Sequence, residues 1–449
     1  MEYCDLAQEL LRNAASKGAS GAEVIVVEDE SFSVQVRMRA VDTLKSAREK
    51  RLGLRLCFGQ RSATAATSDF SPGSLQRLLD DTVAMAQATA EDSCSGLPEP
   101  ELFSADIPDL DLWDPEAKNL SIPDRIALAK AAESAALDFD PRITNSEGGE
   151  YNHEDARVVF MNSHGFLGEY RGSSVVLSVS SIATDNGSMQ MQRDGWYSVQ
   201  RRFQDLAAPE TIGRTAAQRA LRRLGARKVS TQQVPVVFDP DMAASLLRTI
   251  CGAVSGYAIY RSASFLTDKL GQQVAANGFT ILDDGRMLGK LGSRPFDGEG
   301  LPTRRTAIIQ DGVLTSYLLD TYTGRKLGMA STGNAARSLA QLPSVAPTNC
   351  HVVPGPYASG QIIHSVDRGL YVTEMIGFGV NLVTGDYSRG AVGFWIENGE
   401  LTYPVEEITI AGNLKEMLQQ IEMIGDDLEW RGSVAAPTLK IARMTVAGN

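Results

Sequence analysis

Four histidines and five cysteines are the soft metal donors of this 449-residue chain. His153 is followed by Glu154, the opening of a zincin-like pattern. Four residues on stands Arg157, however, and His164 falls on what reads as the following strand. A surface or cross-strand pair is the simpler account. His351 and His364 flank a loop with no acidic or thiol cluster near them in sequence, so hydrogen-bonding histidines are expected. The cysteines at 4, 57, 94, 251 and 350 are odd in number and form no C-x-x-C pair, which predicts reduced thiols rather than a disulfide framework or structural zinc. Cys251 lies on the apolar face of a helix, where a thiol is inert packing.

Carboxylates come close together at Asp283-Asp284-Gly285 and Asp297-Gly298-Glu299-Gly300. Neither run has the alternating ligand spacing of a calcium loop, and turn chemistry explains both. Asn334 and Arg337, with Asp386-Tyr387-Ser388, are dense in polar groups between apolar flanks, and a cleft that binds peptide is expected there. A G-x-S-x-G elbow, a Walker loop and a dinucleotide fingerprint are all absent from the sequence.

Composition narrows the class further. A hydrophobic content of 43% suffices for two buried cores. Residues 1–228 read as an N-terminal α+β domain and 229–449 as a β-rich domain, with the crossing near 226–233. No run approaches the ~20 apolar residues of a membrane span, and the N-terminus is an amphipathic helix rather than a signal peptide; a cytoplasmic protein is expected. A formal charge of −12 and a pI near 5.0 argue against a broad nucleic-acid surface.

Periodicity supplies the elements. A helix is predicted over 2–18, with Leu6, Leu10, Leu11 and Ala14 on one face. Four strands at 22–28, 31–39, 44–50 and 52–60 suggest an antiparallel meander, followed by a helix over 75–90. The acidic, proline-rich stretch 91–118 has no period and reads as a surface connection. A capped helix over 121–136, strands over 143–181 and 193–202, and a helix over 209–224 repeat the order helix, strands, helix, which hints at a duplicated half. In the second domain, Asp311-Gly312 and Asn398-Gly399 mark hairpins; a last helix over 414–424 and a closing strand over 437–446 follow.

The centre of the chain is Val234–Arg261, a short apolar strand, a turn at Asp239-Pro240, and a helix with Met242, Leu246, Leu247, Ile250, Cys251 and Val254 at three- and four-residue steps. This stretch resembles the metal-binding helix of the TldD/PmbA family, also known as modulators of DNA gyrase, in which H-E-x-x-x-H follows a Leu-Leu pair. Here Leu246-Leu247 is followed by Arg248 and Thr249, and Ala253 stands at the second histidine position. Further likeness runs through Pro295-Phe296-Asp297-Gly298-Glu299-Gly300, Asp320-Thr321-Tyr322, Ser331-Thr332-Gly333-Asn334-Ala335, Gly385-Asp386-Tyr387-Ser388 and Ile410-Ala411-Gly412-Asn413-Leu414, with Asn162-Ser163-His164-Gly165-Phe166 in the first half. This is the pattern of the PmbA (TldE) branch.

The resemblance implies two α+β domains, membership of the U62-type metallopeptidases, and assembly with a TldD-like zinc protease subunit. The partner's third zinc ligand is a cysteine ahead of its final Pro-Thr-Leu; here Trp430–Ala436 precedes Pro437-Thr438-Leu439 without one. The expected function is that of a PmbA/TldE-type subunit in a protease acting on peptides and unfolded polypeptides, with no zinc held by this chain. Two alternatives stand beside it: a homodimeric peptide-binding protein without a protease partner, and an enzyme using other donors. Two roles stay open for Arg248: it clamps Asp297, Glu299 or Asp386, or it is solvated on the helix's outer face.

Overall fold

The first 200 residues build one six-stranded antiparallel sheet, with more and less buried side chains alternating along its later strands. The computed structural model describes residues 3–103 and 106–448; the expected helix start at Glu2, and Ser104 and Ala105 of the acidic connection, lie outside them. Helix α1 (Tyr3–Ser16) leads into β1 (Gly21–Arg37), β2 (Ala40–Phe58) and β3 (Arg61–Thr67), then α2 (Pro72–Ala88). After the connection come α3 (Pro115–Asn119), α4 (Ile122–Leu137), β4 (Ile143–Asn162), β5 (Leu167–Thr184), β6 (Met191–Gln200) and α5 (Pro209–Arg222). The strand order is β3-β2-β1-β4-β5-β6, antiparallel throughout.

The four short strands expected over 22–60 are two long ones. The charged run Glu28–Glu30, which reads as an interruption, continues the strand because its carboxylates meet Arg48 and Arg51 across the ladder. The duplication is visible in the topology. Each half of the sheet is three strands with a helix before and a helix after, and β1 and β4 pair antiparallel at the centre.

Strand parity decides the two faces. Even-numbered Val24, Val26, Leu52, Leu54 and Leu56 pack with leucines of α1 and α2, and Phe32, Val34 and Val36 pack with the alanine-rich faces of α4 and α5. Odd-numbered Ile25 and Val27 meet Phe160, Phe166 and Phe296, the last from the second half of the chain.

The second half begins with β7 (Gln232–Phe238), α6 (Pro240–Ala253) and α7 (Gly256–Tyr260), then β8 (Ile281–Asp284), β9 (Arg305–Gln310), β10 (Val313–Leu314) and α8 (Thr321–Leu327). It continues through β11 (Ala335–Ala336), β12 (Ser344–Val345), β13 (Cys350–Val352), α9 (Ser359–His364), β14 (Arg368–Ile376), β15 (Asp386–Glu397) and β16 (Glu400–Asn413). The chain ends with α10 (Leu414–Gln419), β17 (Ile421–Ile424), β18 (Val434–Ala435) and β19 (Leu439–Ala447). One sheet runs β16-β15-β14-β7-β19-β17, and pairing of β16 with β19 closes it into a barrel. A five-stranded sheet, β10-β9-β8-β13-β18, stands beside it. The fold is α+β, as expected.

Both hairpins form. Asp311 (φ 50°) with Gly312 (φ 79°), and Asn398 (φ 53°) with Gly399 (φ 78°), supply the paired left-handed residues of a type I′ turn. The last helix is a correction. It stops at Gln419, and Ile421–Ile424 pair with β19 instead, because the strand ladder satisfies backbone groups that a longer helix would leave outside the barrel. The acidic connection is also less superficial than its composition suggests: Leu97, Leu110 and Leu112 are buried, and Arg325 of α8 donates to Leu97 O at 2.7 Å.

Buried charge joins the two halves. Glu23 of β1 accepts from Arg55 of β2 at 3.3 Å and from Arg337 at 2.5 Å, with the Glu23 side chain fully buried. Phe296 enters beside this cluster where Gly168 leaves room; a Cβ there would lie 2.5 Å from its ring. Removing one member of a buried ionic set leaves the others uncompensated, at a cost of about 3–5 kcal/mol. We expect Arg337→Met to lower stability in urea by roughly that amount, and the triple replacement Glu23→Leu/Arg55→Met/Arg337→Met to recover much of it. A loss below ~1 kcal/mol for the single variant would show that the cluster does not join the halves.

Candidate functional site

Helix α6 is laid down by local chemistry. The Asp239 carboxylate accepts from Met242 N at 2.8 Å, Pro240 opens the first turn, and Leu246, Leu247, Ile250 and Cys251 face the core. The residues that would carry metal lie off that apolar stripe or are themselves apolar. Arg248 is exposed, Thr249 Oγ1 donates to Ser245 O at 3.3 Å, and Ala253 presents only a buried methyl group. Val434, Ala435 and Ala436, the segment matching the third ligand, are all buried and apolar. A permanent cation, a hydroxyl already bound to backbone and a methyl group do not make a zinc site. Among the described residues, no group of three or more His, Cys, Asp or Glu is placed to hold a metal ion.

Arg248 stands exposed on α6. It makes no ion pair among the described residues; Asp297 and Glu299 are buried elsewhere, and Asp386 bonds Thr384 and Asn413. The remaining predicted site residues are not brought together either. Asn334 is buried and donates to Asp283 Oδ2 at 2.7 Å, a structural bond within the second half. Arg337 belongs to the buried charge cluster. Tyr387 is buried with its hydroxyl on Met375 Sδ, while Asp386 and Ser388 on the same strand are exposed.

The histidines are engaged singly. His153 is buried on β4, and burial pushes its pKa down. His164 lies in the β4–β5 turn rather than on a strand, with Nδ1 2.9 Å from Pro98 O. His364 Nδ1 sits 2.7 Å from Gly360 O, and His351 packs on Trp430. No disulfide joins the cysteines of the described residues; the Cys251 thiol lies 3.2 Å from that of Cys350, whose pKa this contact and burial raise.

The cavity that stands out is elsewhere. About 470 Å³ opens where α7 and α8 meet β2 and the start of the acidic connection, within the size range of small-ligand sites. Tyr257 and Tyr260 come from α7 and Tyr322 from α8, their ring centroids 5.9–6.0 Å apart pairwise. Gly256 permits that approach: a Cβ there would lie 2.4 Å from Thr323 Oγ1. Tyr257 donates to Pro343 O at 3.0 Å and Tyr322 to Asp92 at 2.8 Å.

Glu299 forms part of the cavity wall and is 1% exposed. The turn that carries it is built by Asp297, whose carboxylate accepts from the backbone N–H groups of Glu299, Leu301 and Ala335. One Glu299 oxygen accepts from Thr321 N at 2.8 Å. Burial first, then the Asp297 and Asp320 carboxylates, push its pKa up to about 8 against the pull of Arg55. The sequence placed Glu299 in a turn and among the possible partners of Arg248, and it did not bring the three tyrosines together. Tyr257 and Tyr260 three residues apart on a helix were the one available signal.

Because the folded state holds this proton more tightly than the unfolded chain, the associated stability is full below about pH 4.5 and lost as pH rises towards 8. Glu299→Gln stays neutral and escapes that decline. We expect its stability relative to the native chain, from urea melts, to improve between pH 5 and pH 8 by on the order of 1–3 kcal/mol. A pH-independent difference would mean that Glu299 is ionised in the fold.

Comparison with known proteins agrees across the whole chain. Models of domain 1, the central domain and the C-terminal domain of the PmbA/TldA metallopeptidases match residues 22–86, 115–224 and 231–448. The Escherichia coli O157:H7 protein described as metalloprotease PmbA is 40% identical over 434 residues, covering 97% of this chain and 94% of its own. A Bacteroides thetaiotaomicron structure named for modulation of DNA gyrase superposes with a TM-score of 0.92 at 30% identity, covering 100% of this chain and 99% of that one. TldE of Thermococcus kodakarensis shares the fold, with a TM-score of 0.86 at 21% identity over 99% and 100% of the two chains. By sequence along its length and by fold, this chain belongs to the PmbA/TldD family of metallopeptidases.

Proposed function

We propose that this chain is the PmbA/TldE-type subunit of a two-component cytoplasmic metalloprotease that trims or degrades peptides and unfolded polypeptides. In this reading a TldD-like partner supplies the zinc and this chain shapes the substrate chamber. The observation that carries it is the chemistry of α6: Arg248, Thr249 and Ala253 occupy the family's ligand and base positions, yet the helix, its cap and its core packing are complete. Zinc hydrolysis needs three protein donors and an open position where water is activated. Arg248, Thr249 and Ala253 supply none of the donors, so hydrolysis falls to the partner. Among the described residues no helix is long and apolar enough to cross a membrane, which is compatible with a cytoplasmic complex.

The test is hydrolysis of casein by this chain alone, by the TldD-like protein of the same organism alone, and by their mixture, with zinc measured in each sample. We expect this chain alone to be inactive and zinc-free, and the mixture to exceed the partner alone at least tenfold. Chelator-sensitive hydrolysis by this chain alone would overturn the reading in favour of an enzyme with its own donors. A stable homodimer that binds peptide but never joins or stimulates the partner would overturn it in favour of a binding protein.

A further inference from the structure

The cavity between α7 and α8 combines three features that point to one ligand chemistry. Its wall is aromatic: Tyr257, Tyr260 and Tyr322 form a triangle of rings, and ring faces attract cations. Those rings already do so at the rim, where Arg261 lies 5.3 Å from the Tyr260 centroid and Lys326 5.2 Å from that of Tyr322. Its interior is acidic and under-satisfied. Glu299, almost fully buried, uses one oxygen on Thr321 N; its second oxygen has no hydrogen-bond partner among the described residues. Beside Tyr257, whose hydroxyl its carboxylate faces, Asp320 spends Oδ1 on Thr323, and its buried Oδ2 meets no geometric hydrogen-bond partner among the described residues.

We propose that this cavity binds an alkylammonium group, with the tyrosine rings around its apolar stem and Glu299 as its counter-ion. The shared chemistry is a primary ammonium on a flexible stem, presented by a lysine side chain or by the free amino end of a peptide. The proposal extends the peptide-binding reading above to a substrate class, but binding of a small amine does not depend on any protease partner.

The competing ligand, a carboxylate, is disfavoured by the neighbours. Arg55 is the buried cation that faces Glu299; its Nη1 donates to Glu23 and its Nη2 to Gly96 O, and its Nε is a buried donor without a partner among the described residues. Arg261 and Lys326 stand in solvent at the rim, where salt screens their repulsion of an incoming cation. Asp297, in the same turn, is held by three backbone donors and is not free to swing towards a ligand. Asp92 is taken up by Tyr322, Lys326 and the backbone of Cys94. Asp320 is fixed as the cap of α8 and does not line the cavity, so Glu299 is the lining acid left to answer an entering positive charge, and to do so it gives up its proton to solvent.

The experiment is calorimetric titration of the full-length chain at pH 7 with acetyl-Ala-Lys-Ala-amide, with its norleucine counterpart, and with Ala-norleucine-Ala-amide bearing a free amino end. Each is run in two buffers of different ionisation heat. We expect at least one ammonium-bearing peptide to bind tenfold or more tightly than the blocked norleucine peptide, and the better binder identifies which ammonium enters. Binding should release close to one proton, because burial and the Asp297 and Asp320 carboxylates push the Glu299 pKa up to about 8, above the pH of the titration. Glu299→Gln should abolish the proton release, and Tyr260→Leu should weaken binding severalfold while proton release persists.

Equal affinity for the blocked norleucine peptide, tighter binding of acetate than of either amine, or binding of the native chain without proton release would each overturn the proposal. The last needs no variant, so misfolding does not obscure it. Amine binding with no hydrolysis of casein in the mixture would sink the protease reading alone; hydrolysis without amine binding would sink this site alone.

Discussion

Glu23 is the point on which the structure turns. A carboxylate with no exposed surface, it stands between two guanidinium groups, Arg55 from its own sheet and Arg337 from the far half of the chain. Among the described residues neither arginine has a second carboxylate at ion-pair distance, so the halves must stay together for all three charges to be compensated. Apolar packing surrounds this contact. Phe296 packs against Phe160, Phe166 and Tyr170, and Gly300, at φ 85°, lets the chain turn back immediately after Glu299. One turn, Phe296–Gly300, thus serves three tasks: it docks a ring on the first sheet, braces its own backbone through Asp297, and delivers Glu299 to a cavity.

Helix α6 separates the residues that pack it from the residues at its polar and small positions. The side chains that hold the helix in place, Leu246, Leu247, Ile250 and Cys251, lie on its buried stripe. The positions where the family places ligands do not contribute to that stripe, apart from the small Ala253. Replacing donors there changes what the helix can bind without changing how it packs. The same logic explains why the polar residues of α6 gave little warning: Arg248 is solvated and Thr249 bonds its own helix.

The tyrosine cavity is built by convergence. Gly256 lets α7 and α8 touch, Asp320 caps α8 through a reciprocal bond pattern with Thr323, and the turn at 295–301 closes one wall. Lining residues come from β2, from the acidic connection and from both short helices. Proline-rich and without period, that connection is nonetheless anchored by Arg325 and Arg55, which donate to its carbonyl groups. Its irregular backbone finds partners in side chains where a strand or helix would have used its own.

Much was legible in the sequence alone. Alternation and apolar clusters gave the strands, Asp-Gly and Asn-Gly gave the hairpins, a cap gave α4, a turn and an apolar period gave α6, and the order of elements hinted at the duplication. These are local properties, set by backbone sterics and by hydrogen bonds between residues close in the chain. The departure of α6 from the family's ligand pattern was legible too, because it is a matter of residue identity. Tertiary structure alone decided which polar residues meet. Asn334 and Arg337 read as a binding loop, but burial against Asp283 and Glu23 makes them structural. Tyr257, Tyr322 and Glu299 are separated by tens of residues, and their meeting depends on a glycine contact between two short helices and a turn braced by Asp297. Such encounters are fixed by packing across the whole chain, and no local periodicity carries that information.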